Sequence, residues 1–195
     1  MVTFFILVLC YLLGSIPFGL IIGQVCCGKD PRQEGSGNIG ATNVARVCGK
    51  TQGLWTLGLD MAKGFAALLL AQAVSDSVFF LSLAALTVIC GHMFSVFLHG
   101  SGGKGVATFV GAFLALAPGA TLLTVVVFFL ALHLYGYVSL ASLAMAATMP
   151  IILLLAGTWS ALPATLVAAG LIFWKHRGNI DRLIQGTETP WKRCA

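Results

Sequence analysis

Apolar residues run almost unbroken over 3–27, 53–74, 78–99 and 106–174, and the polar positions gather into short segments between those runs. A helix that crosses a bilayer needs about 20 apolar residues at ~1.5 Å each. The first three runs have that length, and each predicts one membrane-spanning helix. A polar stretch over 29–52, the turn Ser75-Asp76-Ser77 and the glycine-rich segment 100–105 separate and close them. The fourth interval, 106–174, contains no Asp, Glu, Lys or Arg, and His133 is its only histidine. No surface in water is built that way.

Parity sets the number of crossings in this interval. Lys50 and Lys104 are separated by two spans, so they lie on one side, and Lys175, Arg177, Arg182, Lys192 and Arg193 after the interval belong on the same side by the positive-inside bias. The number must be even. Two crossings would each be far too long, and the breakers Pro118-Gly119, Gly136 and 157–160 favour four, over about 106–117, 119–135, 138–156 and 161–174. The expected fold is therefore all-α: a polytopic membrane protein with seven transmembrane helices, the N-terminus outside and the C-terminus cytoplasmic. The fourth span is short, and so tilted, broken or partly re-entrant; five spans is the alternative. Short, glycine-interrupted spans next to polar segments point to a cavity open to the cytoplasm, since non-helical backbone at membrane depth needs protein or water to satisfy it. No Lys or Arg precedes the first run and no clean small-residue cleavage site follows it, which reads as an uncleaved first span. One integral-membrane domain over 1–195 accounts for the whole pattern.

Composition agrees. Of the 195 residues 58% are apolar and 9% charged, and the mean hydropathy is +0.97, whereas a soluble domain carries about 25% charged residues. A water-soluble globule, a disordered tail, a collagen-like fibre and a disulfide-stapled miniprotein are all excluded. The net charge of +5 would raise nucleic acid as a partner for a soluble chain, but here the basic residues cluster at span ends and serve topology. The six cysteines form no Cys-x-x-Cys pair and no zinc-like spacing, so no disulfide and no metal site is assigned.

Three polar segments carry candidate chemistry. In 34–46, glycines permit close backbone approach, Ser36, Asn38, Thr42 and Asn43 offer hydroxyls and amides, and Arg46 offers a planar fork suited to phosphate oxygens. A helix starting near Gly40 would add free N–H groups for an anion. A solvated loop with a helix cap fits the same composition, and the Gly-Lys-Ser/Thr ending of a P-loop is missing. The second segment, 100–108, sets Gly102, Gly103 and Lys104 at the start of a short span, as an anion nest or as a flexible turn. His92, about two turns inside the third span, suggests a cavity wall as an ionisable ring in an apolar run, with a structural hydrogen bond as the stronger reading. In the third segment, His176 and Asn179 at i and i+3 would share one face of a continuing helix and hold or polarise a substrate hydroxyl. Asp60 and Lys63, at helical spacing within an apolar run, predict an intramembrane ion pair. Ser139 and Ser142 either line the cavity or bond back to helix carbonyls.

In this order, GSGNIGATNVAR (35–46), GHMFSVF with GGKGVAT (91–97 and 102–108) and HRGNIDRL with Gly186 and Glu188 (176–188) resemble the PlsY family of acyl-phosphate:glycerol-3-phosphate acyltransferases. DMAKG (60–64) and VSLAS (138–142) are similar to that family too. The resemblance spans nearly the whole chain. It implies a multi-pass bacterial inner-membrane enzyme, its active site facing the cytoplasm, that moves a fatty acyl group from acyl phosphate to glycerol 3-phosphate. The products are 1-acyl-glycerol 3-phosphate (lysophosphatidic acid) and phosphate, the first acylation step of phospholipid synthesis. It also implies Ser36 and Arg46 at substrate phosphate, Lys104 with the amides near Gly102 and Gly103 as a second anion-binding element, and Ser142 as a polar substrate contact. His176 and Asn179 fall near the acceptor, and Glu188 in an architectural place. Lys175 stands where relatives have Arg; the charge is kept but not the bidentate geometry.

The catalytic set expected is thus Ser36, Arg46, Lys104, His176 and Asn179, with Asn38, Thr42, Asn43, Gly102, Gly103 and Ser142 completing the substrate site. The partners are acyl phosphate, glycerol 3-phosphate and the lipid bilayer; no cofactor, metal or nucleic acid is expected, and the chain is expected to act as a monomer. No Ser-His-Asp or Cys-His arrangement is evident, so transfer is direct, with His176 or a phosphate oxygen of the donor taking the proton. The competing class is a transporter or channel for a phosphorylated solute; such a protein would show an inverted repeat or dimerise, and no convincing repeat is present.

Overall fold

The first apolar run is two helices, not one. In the structure, a computed structural model describing residues 1–191, α1 (Val2–Ser15) stops before Pro17 and α2 (Phe18–Cys27) restarts after it. Lys192, Arg193 and Cys194 lie outside the described residues. Proline lacks an N–H and drives the residue before it out of the helical region, and Ile16 is extended, with φ −59° and ψ 118°. The Ile16 carbonyl accepts a hydrogen bond from Lys63 Nζ at 2.8 Å. The irregular backbone is thereby satisfied inside the protein, the condition for tolerating it at membrane depth. The unbroken helix expected over 3–27 is corrected accordingly.

The remaining elements are α3 (Ala41–Cys48), α4 (Lys50–Gln72), α5 (Val78–Met93), α6 (Val106–Leu116), α7 (Pro118–Tyr135), α8 (Val138–Leu155), α9 (Leu162–Lys175) and α10 (Arg177–Ile184), with 3-10 turns at Val96–Leu98 and Trp159–Ala161. There is no strand among the described residues. Five stretches are long and apolar enough to cross a membrane: Val2–Cys27, Lys50–Gln72, Val78–Leu98, Pro118–Tyr135 and Val138–Leu155. The apolar helices Val106–Leu116 and Trp159–Lys175 are shorter. The breakers stand where the sequence put them: Gly105 and Gly136 are left-handed at φ 84° and 77°, and Pro118 opens α7.

α5 forms the centre, packing against α1, α4, α6 and α9. Of its most apolar window 61% is buried, against 17% for α7, which turns Leu122, Leu123, Val126 and Leu130 outward. An outward apolar belt is the reverse of a soluble protein's surface and suits lipid. Because lipid tails are as apolar as leucine, helices in a bilayer associate by close packing of small residues rather than by hydrophobic burial. That device recurs here. A methyl added to Gly14 or Gly91 would lie 2.1 or 2.2 Å from the carbonyl of Val88 or Tyr11 between α1 and α5; at Gly64 or Gly111, between α4 and α6, it would lie 2.3 or 1.9 Å from that of Thr108 or Met61. Backbones therefore touch along both seams. The expected ion pair is present in α4, Lys63 to Asp60 at 2.7 Å, with both side chains buried.

Candidate active site

The polar loop between α2 and α3 is organised by one amide. Asn43 Nδ2 donates to the carbonyls of Pro31 (2.8 Å), Glu34 (3.1 Å) and Asn38 (2.8 Å), and its Oδ1 accepts from the Ser36 N–H at 2.7 Å. Gly35 and Gly37 take positive φ, 62° and 68°, where the chain wraps around that side chain. The wrapping presents Ser36, Asn38, Thr42 and Arg46 to a common hollow, with Gly40 and Ala41 at the start of α3. Asn43, expected at the substrate, lines the hollow as well, and its hydrogen bonds are made to the loop that presents the others.

The second segment descends from α5. Gly103 N–H donates to the His92 carbonyl at 3.1 Å. A Cβ on Gly102 would lie 2.0 Å from that same carbonyl oxygen, and one on Gly103 2.1 Å from His92 Nε2. These glycines let the loop press onto α5, and neither reaches the wall of the hollow, whereas Lys104, Gly105, Val106 and Ala107 do.

In the third segment the helix does not continue through His176 as expected. It breaks there, α9 ending at Lys175 and α10 starting at Arg177. The His176 backbone N–H and ring Nδ1 both meet the Ile172 carbonyl, at 3.0 and 2.8 Å. A carbonyl only accepts, so Nδ1 carries the proton and the Nε2 lone pair is left. Asn179 lies one turn on, and both residues are buried at the hollow. Asn179 Oδ1 accepts from Lys104 Nζ, while its Nδ2 donates to Glu188 Oε1 at 2.6 Å. Glu188 also accepts from Ser139 Oγ at 2.8 Å and from Arg182 Nε at 2.7 Å. A carboxylate that takes the amide N–H fixes which way the amide faces, and here it turns the oxygen toward the lysine.

Together the three segments enclose one cavity of about 520 Å³. Its wall combines the polar side chains of Ser36, Arg46, Lys104, His176 and Asn179 with the apolar ones of Leu54, Leu57, Phe128, Phe129, Leu132 and Trp191. Burial lowers the Lys104 pKa to about 8, against the pull of Glu188 and helped by repulsion from Arg182 and Arg46. Burial and the Lys104 charge lower that of His176 to about 4, so its ring is neutral near pH 7. Burial works against the Glu188 carboxylate, but bonds from Asn179, Ser139 and Arg182 outweigh it and hold the group below its usual range. The lining sets Arg46, Lys50 and Lys104 against Asp60 and Glu188, an excess of positive charge that suits phosphate.

Two expected residues stand differently. Ser142 is on the cavity wall, yet its hydroxyl donates back to the Val138 carbonyl at 2.8 Å. Lys175 bonds the Met93 carbonyl at 2.7 Å and sits over the Phe94 ring, away from the cavity wall. The sequence reading left Asp60, His92, Lys50 and Trp191 out of the site, and all four line it. The signal for the first two was available: ionisable groups inside an apolar run mark a cavity.

The sequence profile of the glycerol-3-phosphate acyltransferases matches residues 4–186. A glycerol-3-phosphate acyltransferase of Maridesulfovibrio salexigens is 47% identical over 193 residues, covering 99% of both chains. One from Solidesulfovibrio magneticus is 49% identical over 187 residues, covering 96% of this chain and 94% of its own. Among solved structures, PlsY, an integral membrane glycerol 3-phosphate acyltransferase, superposes in its glycerol 3-phosphate form with a TM-score of 0.93 at 38% identity, over 97% of this chain and 96% of that one. Its lysophosphatidic acid form gives 0.90 at 36% identity, over 97% and 95%. This chain belongs to the glycerol-3-phosphate acyltransferase family.

Proposed function

We propose that the chain transfers a fatty acyl group from acyl phosphate to glycerol 3-phosphate, releasing lysophosphatidic acid and inorganic phosphate. The observation that carries this reading is the convergence of Arg46, Lys104, His176 and Asn179 on one cavity whose wall is divided between polar groups and apolar side chains. A fatty acyl phosphate has that division in one molecule. The solved relative in glycerol 3-phosphate and lysophosphatidic acid forms supports the acceptor and the product.

The chemistry asks for placement above all. An acyl phosphate is a mixed anhydride with an activated carbonyl and a good leaving group. The glycerol hydroxyl oxygen attacks the carbonyl carbon, a new C–O bond forms, and the C–O bond to phosphate breaks with its electron pair leaving on phosphate. Holding the two reactants in line supplies much of the acceleration. Arg46 and Lys104 neutralise the two phosphates that would otherwise repel each other, and Ser36 with the first N–H groups of α3 and α6 adds donors. His176 Nε2 accepts the hydroxyl proton as a hydrogen bond and orients the nucleophile. With its pKa near 4 it is a poor final proton acceptor at neutral pH, whereas the departing phosphate oxygen gains negative charge as the C–O bond breaks and is a better one. The proton therefore finishes on the leaving phosphate.

The setting is a single integral-membrane domain of seven spans, the five long stretches plus α6 and α9, with the N-terminus outside and the C-terminus in the cytoplasm. The cavity opens to the cytoplasmic face of the bacterial inner membrane, and the chain works as a monomer. Basic residues at Lys50, Lys104 and Lys175, all on one side of the membrane by parity, support that orientation.

Purified protein given acyl phosphate and labelled glycerol 3-phosphate should form labelled lysophosphatidic acid with no covalent acyl-protein detectable by mass spectrometry during turnover. An acyl adduct on the way to product would overturn direct transfer. Solute uptake into vesicles without lipid product would favour a transporter.

A further inference from the structure

We infer that His92 is a further substrate-binding residue, its Nε2–H donating a hydrogen bond to a phosphate oxygen of a reactant in the cavity. The inference rests on the acyl-transfer reading and deepens it. His92 is 4% exposed, near the end of α5, and it lines the cavity together with Asp60. Its Nδ1 lies 2.9 Å from Lys63 Nζ. That nitrogen is paired with the Asp60 carboxylate at 2.7 Å and donates to the Ile16 carbonyl at 2.8 Å. An ammonium has three N–H donors and no lone pair. Two of them go to Ile16 and His92, and the nitrogen meets Asp60 as an ion pair without hydrogen-bond geometry.

Nδ1 is therefore an acceptor, and an imidazole that accepts at Nδ1 carries its proton at Nε2. Asp60 Oδ1 lies farther from Nδ1, at 3.5 Å, and pairs with the lysine by charge. The ring is thus a neutral donor whose tautomer is set by a buried ion pair. Nε2 sits on the opposite edge, toward Gly103, where a Cβ would lie 2.1 Å from it. No partner for Nε2 occurs among the described residues, and His92 is one of the residues lining the cavity. A nearly buried donor without an acceptor is costly, and a phosphate oxygen beside Lys104 supplies one. Asp60 and Lys63 act as positioning residues through the ring, as does Gly103, which leaves the space beside it.

Two substitutions separate binding from architecture. In His92→Asn the side-chain oxygen falls near the Nδ1 position and still accepts from Lys63, but nothing reaches the Nε2 position. In His92→Gln the amide N–H₂ reaches the Nε2 position. The inference expects H92N to raise KM about tenfold for one phosphorylated substrate, and H92Q to stay within about threefold of wild type. Which KM rises, for glycerol 3-phosphate or for acyl phosphate, identifies the phosphate bound. Wild-type KM values for both substrates in H92N, or H92Q impaired while H92N is not, would overturn it and leave His92 as a lysine acceptor only. A measurement on unaltered protein guards against variants that fail to fold. In ¹⁵N-histidine-labelled protein the His92 Nε2–H signal should shift on adding glycerol 3-phosphate or a non-transferable acyl phosphonate, and a signal unmoved by either would be contrary. Wild-type protein that makes no lysophosphatidic acid would instead sink the acyl-transfer reading, a distinct result.

Discussion

Lys104→Met is expected to lower kcat/KM by roughly 10²–10³-fold, the size seen when a donor to developing negative charge is removed from a closed site. The lysine is firmly placed at the cavity: its ammonium is held by Asn179, 75 residues on in the sequence, and its loop is pressed onto α5 by Gly102 and Gly103. Methionine keeps the length and loses the charge, so folding should survive while phosphate binding fails. The pH dependence adds a second handle. With its pKa lowered to about 8 in the empty site, Lys104 is charged below pH 8 and neutral above it. Because kcat/KM reports the ionisations of the free enzyme, it should fall as pH rises through that value. In Lys104→Arg the guanidinium stays charged at all these pH values, so whatever activity remains should lose that alkaline limb. A wild-type limb that persists unchanged in K104R would assign it to another group.

Glu188→Ala is expected to cost about 10²-fold in activity and several degrees in melting temperature, although Glu188 lies one interaction removed from the proposed substrate. The carboxylate holds Ser139 of α8, Asn179 and Arg182 of α10, and through Asn179 the Lys104 ammonium. Breaking a buried charged network by removing one member costs about 3–5 kcal/mol. The Arg182 arm, with its side chain 43% exposed, contributes little of that because solvent screens it. The greater loss is orientation: without the carboxylate, nothing compels the Asn179 oxygen to face the lysine. Glu188→Gln should recover part of the activity, since one amide oxygen can still accept from Asn179 or Ser139. Full activity in E188A, measured alongside its thermal unfolding, would show that Asn179 and Lys104 need no such support.

Much of the architecture was legible because the membrane removes alternatives. Where backbone must be helical and apolar, a glycine or proline that interrupts an apolar run has few places to be except an end, and Gly105, Pro118 and Gly136 fall at ends. Pro17 carried the same signal inside the first run, and its meaning lay in a distant residue, Lys63, that satisfies the carbonyl it frees. The convergence of the three polar segments was legible as residue types suited to anions, but not as contacts. Asn43 looks like Asn38 in the sequence; only the loop's path around its amide separates the clamp from the residues it presents. Gly102 and Gly103 look like an anion nest, because the sequence does not show that α5 lies against them. His176 and Asn179 were placed one turn apart correctly, and the break between α9 and α10 was invisible without a proline to mark it. Glycine, asparagine and histidine serve both architecture and binding, and tertiary proximity decides between them.

The most direct test is a structure with glycerol 3-phosphate and a non-transferable acyl phosphonate bound together. Both phosphorus groups should occupy the one cavity, Lys104 and Arg46 within hydrogen-bonding distance of their oxygens, the acyl tail running past Phe128 and Phe129, and the glycerol hydroxyl facing the carbonyl beside His176. Reactants bound in separate pockets, or a glycerol 3-phosphate held away from Lys104 and Arg46, would contradict the account.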